Sequence, residues 1–425
     1  MLDELSSKYW PDFLELLANQ PDIKADIAMD DRGESIDLMQ PMRIGEGSPH
    51  LSAVRDLAMD LALKAAAFRS SLPHGIRTAL AQLVRAMNCY YSNLIEGHDT
   101  HPVDIERALQ GDFSDDPIKR DLQLEARAHI AVQKWIDDGG LAGRAHTRAG
   151  LEETHARFCA ELPEDLLWVV TPESGERVHV EPGRFRERNV KVGRHIAISP
   201  GAVPRFVEHF EWAYGRLGRS DGLVAIAASH HRFAWIHPFL DGNGRVARLM
   251  SHAMLIDALD TGGVWSVARG FGRTADRYKQ HLAACDLPRR NDLDGRGALS
   301  EEELAKFTVY FLQICIDQVD FMTSLVESDR LRTRIQRWAT EEIALGILPG
   351  KAANVLDAVL YRGELPRGEL ESIVGTGDRQ ARRVAATLTE MGVLVSDSSR
   401  APLRIAFPAK LASRWMPGLF PDQPS

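Results

Sequence analysis

His237-Pro238-Phe239-Leu240-Asp241-Gly242-Asn243-Gly244-Arg245-Val246-Ala247-Arg248 is the stretch on which the reading of this chain turns. Pro238 crowds a helical residue before it, so the upstream helix stops near Ile236 and His237 stands at the mouth of a turn. Gly242 and Gly244 permit positive φ and close backbone approach. The helix that starts here, with Val246, Leu249, Met250, Ala253 and Ile256 in register, presents unpaired N–H groups. Together these make an anion nest whose expected guest is a phosphate. Arg245 and Arg248, three apart, share one face of the first turns, where a cation opposes the helix dipole unless an anion is bound. Two such arginines around a glycine nest point to a polyphosphate. Asp241 supplies a hard oxygen for Mg²⁺ on phosphate oxygens. His237, with an ordinary pKa near 6.5, suits a general base acting on an incoming hydroxyl.

Outward from this stretch the pattern is helical. Helices are expected over Val203–Leu217, Gly222–Ile236 and about Asn243–Leu259. Ser300 and Glu303 form a capping box ahead of an apolar-periodic segment through Phe321, and a charged helix then leads to the Pro349-Gly350 linker. Upstream, residues 51–138 read as helical. Ile76, Leu80, Leu83, Val84, Met87, Tyr91 and Leu94 lay one apolar stripe along a helix over about 76–97 that Gly97 ends. Before the motif the period changes: turn residues from Thr171 to Gly183 lead to Val190-Lys191-Val192, Gly193 and Ile196-Ala197-Ile198. This spacing predicts a β-hairpin over about 189–199. Residues 1–50, with an amphipathic stretch around Tyr9 to Leu17 and a Gly/Pro/Asp-rich passage, are expected to pack as an arm on 51–345. Residues 351–425 differ in character. Helices over Ala352–Tyr361, Glu369–Val374 and Asp378–Met391, then strands at Val393–Val395 and Leu403–Phe407, make a winged-helix pattern.

Ser92-Asn93-Leu94-Ile95-Glu96-Gly97 carries a second expectation. Gly97 reads as the C′ residue of its helix, which puts the Glu96 carboxylate at the negative end of the dipole. Arg248, a cation near a helix N-terminus, is the mirror case. An ion pair between the two would relieve both.

Composition bounds the alternatives. The 425 residues suggest two or three domains at about 150 each. With 44% hydrophobic and 26% charged residues the chain reads as globular. Lys+Arg total 51 against 60 Asp+Glu, and a net charge of −9 argues against nucleic-acid binding by bulk charge. No apolar run approaches the roughly 20 residues of a bilayer-spanning helix, and Met1 to Ala18 is not signal-like, so no membrane partner is expected. Cys89, Cys159, Cys285 and Cys315 form no CxxC pair, which fits isolated thiols in a reducing cytoplasm. His230 and His231 do not share a helical face with His237, and no HExxH supports zinc. Asp292, Asp294 and Glu301 imitate a calcium loop, yet Arg290 stands where its first carboxylate belongs. No P-loop or dinucleotide signature exists. Tyr278 reads as a core residue rather than an adenine platform.

The motif resembles His-Pro-Phe-x-Asp/Glu-Gly-Asn-Gly-Arg-x-x-Arg of the Fic (Fido) family at every specified position. The resemblance extends from about Ser92 to Met322 and includes Gly183-x-x-Arg186 and Asp292-Leu293-Asp294-Gly295-Arg296-Gly297. It implies a mainly α Fic helical core with a β-hairpin flap, here joined to a C-terminal winged-helix domain. It also implies transfer of AMP from ATP to a hydroxyl of a target protein. In that reading His237 deprotonates the hydroxyl, Asp241 holds Mg²⁺, Gly242, Asn243, Gly244 and Arg245 hold the phosphate chain, and Arg248 grips the γ-phosphate. The flap, with Val190, Lys191, Val192 and Gly193, aligns a target strand. Ser92-x-x-x-Glu96-Gly97 is similar to the family's inhibitory motif, so Glu96 would keep Arg248 from the γ-phosphate while Ser92 anchors the helix. The alternatives are a Fic enzyme that uses another nucleotide or removes AMP, and a DNA-binding regulator with a nucleotide-sensing core. For the latter, Arg379, Arg382 and Arg383 cluster on the recognition helix and Arg400 and Arg404 flank the wing. Residues 351–425 nevertheless balance 10 Lys+Arg against 8 Asp+Glu, so protein docking stays open beside DNA. A homodimer is equally open.

Overall fold

In the computed structural model, which describes residues 30–171 and 175–421, the helix leading into the motif, Arg219–Ile236, is buried without a break from Leu223 to Phe233. A helix without a polar face must sit among others. This one packs against Asn243–Leu259, which follows the motif, and against Leu51–Ser71, Val203–Tyr214 and Glu301–Leu325.

In chain order the helices are α1 (Leu51–Ser71), α2 (His74–Ile95), α3 (Pro102–Leu109), α4 (Pro117–Asp137), α5 (Arg148–Ala160), α6 (Val203–Tyr214), α7 (Arg219–Ile236), α8 (Asn243–Leu259), α9 (Val267–Arg273), α10 (Ala275–Ala284), α11 (Glu301–Leu325), α12 (Ser328–Ala344), α13 (Ala352–Arg362), α14 (Leu370–Val374), α15 (Asp378–Glu390) and α16 (Ala412–Trp415). The described residues are 62% helix and 5% strand, the mainly α architecture expected. α2 starts behind Pro73 at His74, earlier than its apolar stripe suggested, and closes through Glu96 and Gly97, the latter at φ +90. α11 is capped by Ser300, whose Oγ accepts the Glu303 N–H at 3.1 Å, and by Asp294, which accepts the Glu302 N–H at 2.8 Å. The apparent calcium loop is thus a capping device.

Strands are few and short. β1 (Trp168–Val170) pairs antiparallel with β2 (Arg177–His179), a hairpin the sequence reading missed because three residues are too few for a period-two signal. β3 (Lys191–Val192) pairs with β4 (His195–Ile196) around Gly193 at φ +60. The predicted flap is therefore two residues per strand, and Val190 contributes only its carbonyl, which accepts the Ala197 N–H at 3.2 Å. Beyond α13 come β5 (Glu364–Leu365), α14, α15, β6 (Leu394–Val395) and β7 (Leu403–Ile405), with sheet order β5-β7-β6. The expected two-stranded hairpin gains β5 as a third strand. This unit rests on the start of α2. A Cβ on Gly75 would lie 1.9 Å from the Gly363 carbonyl oxygen, so only glycine permits the approach.

The described part of the N-terminal arm lies along the helices. Pro41 O accepts from Arg232 Nη2 at 2.8 Å, Met42 O from Tyr214 Oη at 2.6 Å, and Gln40 O from the Leu299 N–H at 2.8 Å. The stretch Tyr9 to Leu17 falls outside the described residues. Among the described residues no single helix is long and apolar enough to cross a membrane.

Candidate active site

The loop between α7 and α8 is held from inside by Phe239. Its ring is fully buried and stacks on the His155 imidazole of α5 at 4.1 Å, with Phe185 at 5.7 Å. The Asn243 side chain then closes the loop on itself, its Oδ1 accepting the Phe239 N–H at 3.0 Å and its Nδ2 donating to Phe239 O at 2.8 Å. Asn243 was expected on the phosphate chain. Its side chain shapes the loop, and its backbone remains available to an anion.

His237 caps α7 in the left-handed region, φ +49, which costs a non-glycine residue roughly 1–3 kcal/mol. Arg186 offsets that cost. It is buried, and its Nε donates to His237 O at 2.7 Å, its Nη2 to Ile198 O at 2.7 Å and its N–H to Pro238 O at 2.8 Å. One guanidinium therefore ties the base of the flap to the loop. Burial brings it down to about 10, still charged at neutral pH. The His237 Nδ1–H donates to Ala234 O at 3.3 Å, leaving Nε2 as the acceptor. Burial pushes the imidazole down to about 4, with the Ala234 carbonyl opposing, so His237 is neutral at physiological pH.

Across the loop, α8 begins at Gly242, φ +74, with no side-chain cap on its first N–H groups. A carboxylate reaches it from the end of α2. A Cβ on Gly244 would lie 2.9 Å from Glu96 Oε1 and 3.1 Å from Arg248 Nη1, so any larger residue there would press on the pair where it meets over the helix start. Glu96 pairs with Arg248 and, at 2.9 Å, with Arg245. The Arg248 Nε also donates to Ser92 Oγ at 2.8 Å. Both guanidiniums are buried, and the ion pair expected from the two helix ends is present. Burial works to raise the Glu96 carboxyl, but Arg248 and Arg245 overcome it and hold it below its ordinary value.

Glu125 of α4 was missed in the sequence. It pairs with Arg245 at 2.9 Å and with His98 at 3.5 Å. Burial raises its carboxyl, with Arg245 opposing. A signal existed: Glu125, His129, Gln133 and Asp137 recur every four residues on one face of α4. That stripe meets Arg245 and His252 of α8, since Asp137 accepts from His252 Nε2 at 2.8 Å. His155 had no comparable signal. Its Nδ1 accepts the Gly183 N–H at 2.9 Å, and burial takes it to about 4.

The remaining site residues fall outside this packed centre. Asp241 is exposed beside the nest, and its carboxylate takes no hydrogen bond or ion pair among the described residues. Lys191, Val192 and Gly193 lie exposed on the hairpin, which is moored by His195 Nε2 donating to Trp235 O at 2.8 Å. His230 lies between Ser251 at 2.8 Å and Tyr278 at 2.6 Å, while Tyr278 stacks on Phe271 at 4.4 Å. Both are core residues. Among the described residues no group of three or more His, Cys, Asp or Glu could hold a metal ion.

A model of the Fic/DOC family matches residues 147–255, from the cap of α5 through the loop to the last turns of α8. The chain carries a Fic/DOC family domain. Within the Fic domain lie His155, Arg186, His237, Asp241, Arg245 and Arg248, whereas Ser92, Glu96 and Glu125 reach it from upstream of the match. Proteins named "Protein adenylyltransferase Fic" are similar over this region. That of Drosophila grimshawi is 39% identical over 85 residues, 19% of this chain and 18% of that protein. That of Aedes aegypti is 39% identical over 97 residues, 22% and 19% of the two chains. The chain thus spans under a fifth of these relatives' length. Among solved structures, a Fic family protein from Desulfovibrio desulfuricans G20 aligns over 86% of this chain and 98% of its own at 17% identity and TM-score 0.49. Fic-1 (aa134 - 508) from C. elegans aligns over 66% and 75% at 16% identity and TM-score 0.49.

Proposed function

We propose that this Fic domain is a protein adenylyltransferase that moves AMP from ATP to a side-chain hydroxyl of a target protein, and that Glu96 restrains it. The observation that carries the reading is the pairing of a neutral, rigidly held His237 with an uncapped glycine nest whose two arginines are occupied by a carboxylate. The relatives' name, adenylyltransferase, supports the same chemistry.

In this reading ATP lays its phosphates on the backbone of Gly242, Asn243 and Gly244. The γ-phosphate replaces Glu96 on Arg248. The target hydroxyl gives its proton to His237 Nε2 while its oxygen forms a bond to the α-phosphorus. The bond from that phosphorus to the bridging oxygen breaks, and pyrophosphate leaves. Mg²⁺ is the fitting ion. The unpartnered, exposed Asp241 is the carboxylate that would hold it, and its chemistry is to neutralise phosphate charge. Val192 and Ile196, 47% and 66% exposed, leave the hairpin edge available to a target strand. While Glu96 holds Arg248, ATP binds unproductively or not at all.

The test is incubation with labelled ATP, Mg²⁺ and host lysate, followed by mass identification of modified proteins. With Glu96→Gly, which frees Arg248, label that depends on His237 is expected; label from Glu96→Gly no greater than from Glu96→Gly with His237→Ala would overturn the reading.

A second reading, DNA binding by the winged-helix unit, attaches to residues 351–425. Arg379 and Arg383 stand exposed without an acidic partner among the described residues, beside a groove of about 940 Å³ lined also by Gly377, Asp378 and Gln380. Arg382 and Arg404, by contrast, are occupied by Asp378 and Asp397. A gel shift with a steep salt slope would support DNA there, and no shift at low salt would support protein docking.

A further inference from the structure

The helix that carries Ser92 and Glu96 is gripped from its other side by the last described residues. Tyr91, fully buried and next to Ser92, donates its hydroxyl to Leu419 O at 3.0 Å. Its ring fills the space over Gly272, where a Cβ would lie 2.6 Å from Tyr91 Cδ1. Arg269 of α9 grips the same turn, donating from Nη2 to Gly418 O at 2.6 Å and from Nε to Leu419 O at 3.3 Å, with its guanidinium over the Phe321 ring at 3.6 Å. Tyr90 meets Phe420 edge-on at 5.6 Å. Consecutive residues of α2 therefore hold different things: Tyr91 the tail, Ser92 the guanidinium of Arg248.

The tail is tied at its other end to α12, which leads into the C-terminal unit. Trp415, buried, stands edge-on to Trp338 of α12 at 5.0 Å, and Arg414 pairs with Glu342 at 3.1 Å. Between the tail and the residues just past Gly97 the packing is not sealed. A cleft of about 290 Å³ is lined there by His101, Pro102 and Val103 on one side and Met416, Gly418 and Phe420 on the other. Open space on one side of otherwise buried contacts gives the tail a direction in which to release.

We infer that segment 412–421 is a latch that holds the last turns of α2 in the inhibitory position, so that its release lets Glu96 leave Arg248. The inference rests on the proposed restraint by Glu96. A polar side chain at the helix end can leave its partner by a small movement of one turn, and a peg on the adjacent residue resists that movement. The latch thus couples the C-terminal unit to the Fic site through α2.

The experiment uses the full chain, a chain stopped after Met416, and Tyr91→Phe, each with and without Glu96→Gly. Label incorporation from ATP is read together with hydrogen exchange over residues 88–98 and thermal melting. Stopping the chain should raise the rate about fivefold or more and speed exchange over 88–98, and Tyr91→Phe should do so to a smaller degree. Neither should add to Glu96→Gly. A shortened chain that melts cooperatively but keeps the low rate and slow exchange, while Glu96→Gly is fast, overturns the latch and leaves the restraint standing; Tyr91→Phe with unaltered rate and exchange does the same should the shortened chain fail to fold. Glu96→Gly no faster than the unmodified protein overturns both.

Discussion

His237 and Arg248 stand at the two ends of one loop and its first helical turns, yet they are held by different forces. His237 is fixed through main-chain carbonyls, by Arg186 on its own carbonyl and by Ala234 on its ring, and the loop behind it by Asn243 and Phe239. Nothing in that set must break for a nucleotide to enter. Arg248 is held by a carboxylate and a hydroxyl, Glu96 and Ser92, which a phosphate can replace one for one. One side of the site is built in advance, and under the proposed restraint the other exchanges partners. Arg245 lies between the two cases, because it pairs with Glu125 as well as with Glu96.

The difference can be broken from either side. The largest expected effect is His237→Ala, which should reduce AMP transfer by about 10²–10⁴ while leaving ATP affinity within about twofold, since in the proposed mechanism the ring serves the hydroxyl and not the nucleotide. Single-turnover transfer beside calorimetric ATP binding would separate the two. Arg248→Ala should lose about 10² in transfer and also weaken ATP binding, in the unmodified protein and with Glu96→Gly alike. Weak binding but unaltered transfer at saturating ATP would reassign that guanidinium to ground-state binding. Asn243→Ala leaves the buried Phe239 amide and carbonyl unpaired, so unfolding in urea should show a loss of about 1–3 kcal/mol. A neutral result would mean that the loop is held by the Phe239 ring alone.

pH tests the burial of the histidines. Burial depresses His129 and His230 to about 3 and His155, His231 and His237 to about 4. Between about 6.5 and 4 the unfolded chain therefore binds more protons than the folded one. Their contribution is fully present above 6.5 and declines as pH falls, at up to about 1.4 kcal/mol per pH unit for each group. Stability measured from pH 8 downward should be flat and then drop below 6.5. Loss of the base by protonation should begin near 4 and not near 6.5, so a transfer rate that halves at 6.5 would contradict the burial of His237.

What the sequence showed was whatever chemistry keeps local. Pro238, the two glycines and the two arginines define the loop within a few residues, and Gly97 fixes the end of α2, so the Glu96–Arg248 pair could be expected from dipoles at two helix ends. Strands of two or three residues such as β1 and β5 carry no periodicity and were missed or absorbed into turns. Partners distant in sequence were missed for another reason. Glu125 lies 120 positions from Arg245, and only its four-residue recurrence with His129, Gln133 and Asp137 marked α4 as a helix with a polar face turned inward. The bonds of the Asn243 side chain to the Phe239 backbone could not be read from the sequence either, because they depend on how the loop folds back on itself.

The exchangeable side of the site is tested most directly by one comparison of initial rates of label incorporation from saturating ATP and Mg²⁺: the unmodified protein, Glu96→Gly, and Glu96→Gly with His237→Ala. Freeing Arg248 should raise the rate about tenfold or more in Glu96→Gly, and the added His237→Ala should return it to background. Equal rates for the unmodified protein and Glu96→Gly would contradict the account.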